Sequence, residues 1–145
     1  MAHKQIGFGT AWGIDPWDVK ASVVDELPEN VAHWQKTDHE AIYKAFMEKV
    51  NELQVGNCIR IIRQRSDDVD PPQVIDICHI DGNHSHQAVR DVLRFASKVR
   101  VGGFCVMDDE TWTTGGPKMA VERLLPMGFI RLYPLGTGSV YQRIK

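Results

Sequence analysis

Two short apolar stretches end in acids, and these acids are the residues whose types and spacing point to chemistry. One stretch reads Ile77-Cys78-His79-Ile80-Asp81-Gly82-Asn83-His84-Ser85, the other Phe104-Cys105-Val106-Met107-Asp108-Asp109-Glu110. A carboxylate at the end of a buried strand is costly to desolvate unless something pairs with it. Carboxylates gathered at neighbouring strand ends repel one another, and a hard divalent cation relieves that repulsion. Mg2+ suits Asp81, Asp108 and Asp109, because it prefers oxygen ligands and keeps several waters. A plainer reading stays open, in which the acids cap helices or pair with arginines such as Arg90 or Arg100. Among the nearby histidines, His79 lies inside the strand and is expected to be a satisfied core residue. His86 is expected to face solvent.

The elements that must position these acids alternate along the chain. Residues 5–14 read as an apolar strand. Asp15-Pro16 offers a cap and a first-turn proline for a short helix reaching Leu27. His39 to Leu53 repeats apolar residues at Ile42, Ala45, Phe46, Val50 and Leu53, which is helical spacing, with Asp38 or Thr37 as cap and Gly56 as terminator. Cys58 to Ile62 is a short strand, and Ser66 to Gln73 a loop. Val74 to Ile80 is a strand rich in β-branched residues. Gly82 permits a sharp turn after Asp81, and Asn83 or Ser85 can cap the next helix. That helix reads as Ser85 to Val99, with its stripe at Val89, Val92, Leu93, Ala96 and Val99, ended by Gly102-Gly103. Phe104 to Met107 is the next strand and Pro117 to Leu125 the next helix. Ile130 to Leu135 and Ser139 to Ile144 form an antiparallel hairpin around Gly136-Thr137-Gly138. The pattern predicts an α/β domain with a mostly parallel sheet, helices on both faces and this closing hairpin. In such sheets ligands bind outside the carboxyl ends of the strands, where Asp81, Asp108 and Asp109 fall.

Composition bounds the partners. The chain has 145 residues, 43% hydrophobic and 25% charged, with a net charge of −2. That is one domain, residues 1–145, with no basic surplus to suggest nucleic acid. No apolar run approaches a membrane span, and the first residues lack a signal-peptide pattern. Cys58, Cys78 and Cys105 are odd in number and sit in strand-like stretches. They read as buried free thiols of a reducing compartment, so the expected location is cytoplasmic.

Taken together, Asp76-Ile-Cys-His-Ile-Asp81-Gly-Asn-His-Ser, then Asp91, then Val101-Gly-Gly-Phe-Cys-Val-Met-Asp-Asp resembles the class I S-adenosylmethionine-dependent methyltransferases. The group it is most similar to is the small-molecule O-methyltransferases of macrocin and novobiocin type, with the cephalosporin hydroxylase-like proteins. The similarity runs from about Gly13 to the C-terminus, with Gly13-Ile-Asp-Pro-Trp17 as its first element. The resemblance implies a Rossmann-like fold, S-adenosylmethionine as cofactor and a small-molecule acceptor. It also implies that Asp81, Asp108 and Asp109 hold a divalent metal that orients the acceptor and lowers the pKa of its hydroxyl. Asp81 would also border the cofactor. Asp15 matches the acid that accepts hydrogen bonds from the cofactor ribose, or is a plain cap. Trp17 lines the cofactor or packs. Ser66 and Asp67, with Asp68, match the loop that meets the adenine, or are simply exposed. His84 is the candidate general base. Asn83 stands where some relatives carry an acid.

The family's first strand, with its acidic-Gly-x-Gly turn, has no counterpart, since only twelve residues precede Gly13. The chain is therefore expected to be N-terminally truncated relative to the family. A slot would lie between the Asp15 and Asp81 strands, with exposed backbone groups that must be covered. Self-association as a homodimer is the expected cover, and weak cofactor binding the expected cost. Two alternative functions stay open. One is a cofactor-deficient, non-catalytic methyltransferase-like remnant or interaction domain. The other is a metal-dependent hydrolase using His79, Asp81, His84, His86 and Asp108.

Overall fold

The computed structural model describes residues 9–24, 26, 28–111 and 115–145. Its elements run β1 (Ala11–Ile14), α1 (Val19–Ser22), α2 (Pro28–Trp34), α3 (His39–Glu52), β2 (Ile59–Ile62), β3 (Ile75–Ile80), α4 (Gln87–Arg94), β4 (Val99–Met107), α5 (Gly116–Leu124), β5 (Phe129–Leu135) and β6 (Gly138–Arg143). They divide into two compact units. The first takes residues 1–23 and 27–69, the second 24–26 and 70–145.

In the first unit β1 and β2 pair in parallel, Ala11 opposite Ile59 and Ile14 opposite Ile62. The strand expected over residues 5–14 begins only at Ala11. Residues 5–8 lie outside the described residues. Asp15 does not cap the following helix. Its Oδ1 accepts from the Trp17 amide at 2.5 Å, and Asp18 caps α1 through the Ala21 amide at 3.0 Å. Helix α2, which the sequence pattern did not lead us to expect, starts on Pro28, a residue suited to a first helical turn. Helix α3 starts where the spacing places it, with Asp38 Oδ1 accepting from the Ala41 amide at 2.9 Å. Its end differs. Gln54, not Gly56, takes the left-handed conformation, with φ +53°.

In the second unit the strand order is β3-β4-β6-β5. The β3–β4 pair is parallel, with Cys78 opposite Cys105 and Ile80 opposite Met107. The β4–β6 and β5–β6 pairs are antiparallel, as the hairpin signal requires. The expected helix over 85–99 is shorter, because Val99 already opens β4. Gly102-Gly103 is therefore a break in strand pairing, not a helix stop. Gly102 has φ +83°, and a Cβ on Gly103 would lie 2.7 Å from the Asp76 carbonyl oxygen, so close strand approach selects glycine there.

The core of this unit is built from Cys78 and Ile80 of β3, Cys105 and Met107 of β4, Val140 and Tyr141 of β6, and Ala88, Val92, Ala120 and Leu124 of the two helices. Helices α4 and α5 pack on one another. Leu93, expected in the buried stripe, is 51% exposed, and Ala88 takes the inward place. All three cysteines are free, as expected, but Cys58 is only half-buried. On β3 the alternate residues Ile77 and His79 are exposed, so His79 is not a core histidine. Among the described residues no helix is long and apolar enough to cross a membrane.

Candidate active site

The parallel register of β3 and β4 brings the acids together. Ile80 and Met107 are partners across the ladder, so the next residues, Asp81 and Asp108, leave the sheet side by side. The Asp108 amide donates to the Ile80 carbonyl at 3.1 Å, extending the ladder by one bond. Side-chain alternation places His79 on the same side of β3 as Asp81. One ligand atom each from His79, Asp81 and Asp108 lies within 4.8 Å of the other two. Loss of solvent around the Asp81 carboxyl, and then the charge of Asp108, push its pKa above the ordinary 3.8. His79 pulls it the other way. The acids crowd one another, and a cation relieves that crowding. His79, Asp81 and Asp108 thus fit a divalent cation in number and donor type.

The Asp108 turn is held from the hairpin. Asp108 Oδ1 accepts from the Asp109 amide at 2.8 Å and from the Thr137 hydroxyl at 3.0 Å. The Thr111 amide donates to the Thr137 carbonyl at 3.2 Å. Glu110 reaches back under the same hairpin, accepting from Arg131 Nη2 at 2.6 Å, from the Ser139 hydroxyl and from the Tyr141 hydroxyl at 2.6 Å. Burial, and then this bond to Glu110, push the Tyr141 hydroxyl far up. Asp109 stands in left-handed backbone with φ +49°. That conformation is uncommon for a residue with a Cβ, though aspartate tolerates it better than most.

His84 is fixed from both sides. Its Nε2 sits 3.0 Å from Asp109 Oδ2, and its Nδ1 lies 3.9 Å from Glu26 Oε1. Its backbone amide donates to Glu26 Oε2 at 3.2 Å, and the side chain of Glu26 is only 2% exposed. Asn83 shapes the turn, accepting from the Ser85 amide at 2.8 Å and donating to the Val24 carbonyl at 3.0 Å. Ser85 Oγ then accepts from the Gln87 amide at 3.1 Å at the start of α4. A small cleft beside these groups is lined by Asp81, Gly82, His84, Asp108, Asp109 and Pro117.

The remaining sequence-predicted residues belong to the first unit. Asp15 follows β1 and is exposed. Trp17 packs, its ring 5.0 Å from Tyr43 and stacked 5.6 Å from Phe46, with φ +44°. Ser66 and Asp67 form a single 3-10 turn after β2, with Asp67 3.6 Å from Arg65. The structure thus gathers Asp81, His84, Asp108 and Asp109 within one unit. Sequence reasoning placed His79 at this site only in the hydrolase alternative, gave Glu110 no role of its own, and missed Glu26. His79 was legible from its two-residue offset to Asp81. Glu110 was legible as the third acid in its run. Glu26 lies far from His84 in sequence, and no local signal marks it.

Strand-end acids on a Rossmann-like α/β framework accord with the S-adenosylmethionine-dependent methyltransferases, and the comparison with known families gives the class. Residues 2–110 match the family profile described as a methyltransferase domain, and the chain belongs to that family. Among solved structures it is similar to that of the O-methyltransferase NovP, with a TM-score of 0.65 and 17% identity. The match covers 94% of this chain and 60% of that one, so the chain spans 60% of that protein's length. No curated protein matches it in sequence.

Proposed function

We propose that this chain carries out S-adenosylmethionine-dependent O-methyl transfer to a small-molecule hydroxyl, with a divalent cation held by Asp81, Asp108 and Asp109. The observation that supports it is the β3–β4 register, which sets Asp81 beside Asp108 at the carboxyl ends of parallel strands. A cation held there would lower the pKa of an acceptor hydroxyl and fix its direction. This chain's own residues supply the rest. Thr137 and the Asp109 amide hold Asp108 Oδ1 in place. Glu26 and Asp109 orient the His84 ring. His84 is the proposed general base, acting from Nε2 in the tautomer that carries the ring proton on Nδ1 toward Glu26, once Nε2 has parted from Asp109 on acceptor binding. Asp15, Trp17, Ser66 and Asp67 are the proposed cofactor contacts of the first unit. The cytoplasmic location and the homodimer belong to the same reading. The place of β3 at the end of its four-stranded sheet, with Ile77 on it 67% exposed and Val74 just before it 65% exposed, supports self-association.

Calorimetric titration with S-adenosylmethionine, with and without Mg2+, is the test. Saturable binding of the cofactor, and Mg2+ binding lost in the Asp108→Asn variant, are expected. Absence of cofactor binding in both conditions would turn the reading towards a non-catalytic domain. Metal binding unchanged by Asp108→Asn would remove the proposed ligands.

A further inference from the structure

His79 has no part in the ligand set that the resemblance implies, yet it faces that set. It stands two residues before Asp81 on β3, on the same side of the strand, and is exposed. One of its ring nitrogens lies within 4.8 Å of carboxylate oxygens of both Asp81 and Asp108. Asp109 is placed differently. Its Oδ2 already faces His84 Nε2 at 3.0 Å. The donors that converge are one imidazole nitrogen and two carboxylates, on adjacent strands with a one-bond backbone link between them.

Two ligand atoms on opposite sides of a cation with bonds of about 2.1 Å stand about 4.2 Å apart. Separations of up to 4.8 Å therefore close by small side-chain rotations, without moving the strands. Donor type then decides which ion is held. Mg2+ takes oxygen ligands and gains little from imidazole, whereas first-row transition dications accept imidazole nitrogen readily. We infer that His79 is a nitrogen ligand of this site, beside Asp81 and Asp108, and that the site prefers a transition dication such as Mn2+ or Co2+ to Mg2+. The inference rests on the metal reading proposed above and changes its donor set and its ion. With His79 in place, Asp109 is left to the His84 contact and positions the imidazole.

The test uses the full chain without added histidines, loaded with Mn2+ alone. Electron spin-echo spectra should show nitrogen modulation in the unaltered chain and in His84→Ala, and none in His79→Ala. Calorimetry should show Mn2+ affinity falling at least about tenfold in His79→Ala, the lower bound for losing even an outer partner of a metal site. Mg2+ affinity should change less. His79→Gln, which keeps the size of the side chain, serves as a second variant should His79→Ala fold poorly. Mn2+ binding without nitrogen modulation, or modulation that survives both His79 variants, would overturn the inference while leaving a metal site in place. Failure of the unaltered chain to bind either Mn2+ or Mg2+ would overturn both the inference and the metal reading beneath it.

Discussion

The two units share a strand–helix–strand grammar but bury very different cores. In the second unit, β3, α4, β4, α5, β5 and β6 all contribute buried residues, down to Val92, Cys105 and Leu124 at 0% exposure. In the first, among the described residues, only Val50 and Val69 are buried hydrophobics. The first unit relies instead on half-exposed contacts. Trp17 lies against Tyr43 and Phe46, Arg63 lies 4.5 Å over the Tyr43 ring, and Arg60 lies 4.5 Å over Trp12. Such contacts contribute about 0.5–1 kcal/mol each at exposed positions, less than a fully buried aliphatic side chain. The difference shows where this molecule concentrates its packing. The strand ends that carry Asp81 and Asp108 are anchored in the dense core, as a site needing sub-ångström placement must be.

Five substitutions break or sharpen this contrast. The largest effect is expected from Leu124→Ala, which empties a fully buried site and should cost about 2–5 kcal/mol in urea unfolding. Val50→Ala in the first unit should cost clearly less, and equal costs would end the contrast. Next is Gly103→Ala. The new methyl would meet the Asp76 carbonyl at 2.7 Å and Val99 Cγ1 at 2.8 Å. A loss of about 1–3 kcal/mol is expected, with weaker amide protection along β3 and β4. Third is Asp38→Ala, which removes the α3 cap in the first unit and should cost about 1 kcal/mol. Hydrogen exchange should show the loss confined to α3.

The smallest stability effect, and the one tied to the site, belongs to Asp81→Asn. Asp81 has a folded pKa above its ordinary 3.8, so the native state holds this proton where the unfolded chain has released it. Stability from this group therefore falls as pH rises from the ordinary carboxylate range through the raised value, and the burden is full above it. The metal-free Asp81→Asn variant should lose that slope and gain stability relative to the unaltered chain at neutral pH, as thermal melts across about pH 3–7 would show. A steeper slope in the variant would mean that Asp81 is stabilised as the anion.

Much of the second unit was legible because its signals are local. The antiparallel hairpin followed from Gly136-Thr137 between two apolar runs, and the acid-ending strands followed from their β-branched composition. The end of α4 was misread because Gly102-Gly103 carries the same signature whether it stops a helix or relieves a crowded strand pair. Only the neighbouring Asp76 carbonyl distinguishes the two. His79 was misplaced because alternation says which residues share a face, not whether that face is covered. In the first unit, the periodic apolar residues of α3 marked a helix, and Ile42 among them is 47% exposed. Periodicity reports the helix, while burial depends on what packs against it. Within the site, Asp81, His84, Asp108 and Asp109 were readable from two strand ends. Glu26 was not, because a tertiary contact brings it to His84.

The break at Gly102-Gly103 has a consequence for the length of the chain. Between Ile75 and Ile77, β3 advances two residues while β4 advances five, from Val99 to Phe104. Burial nonetheless falls on residues of one parity, Val99, Gly103, Cys105 and Met107, on both sides of the break. With this spacing Cys105 and Met107 lie inward opposite Cys78 and Ile80, and Asp108 follows beside Asp81. Removing one residue between Arg100 and Gly103 would reverse the parity, turning Phe104 and Val106 inward and sending the strand-end acid to the opposite face. Length changes in this stretch are therefore expected to be tolerated in pairs and not singly.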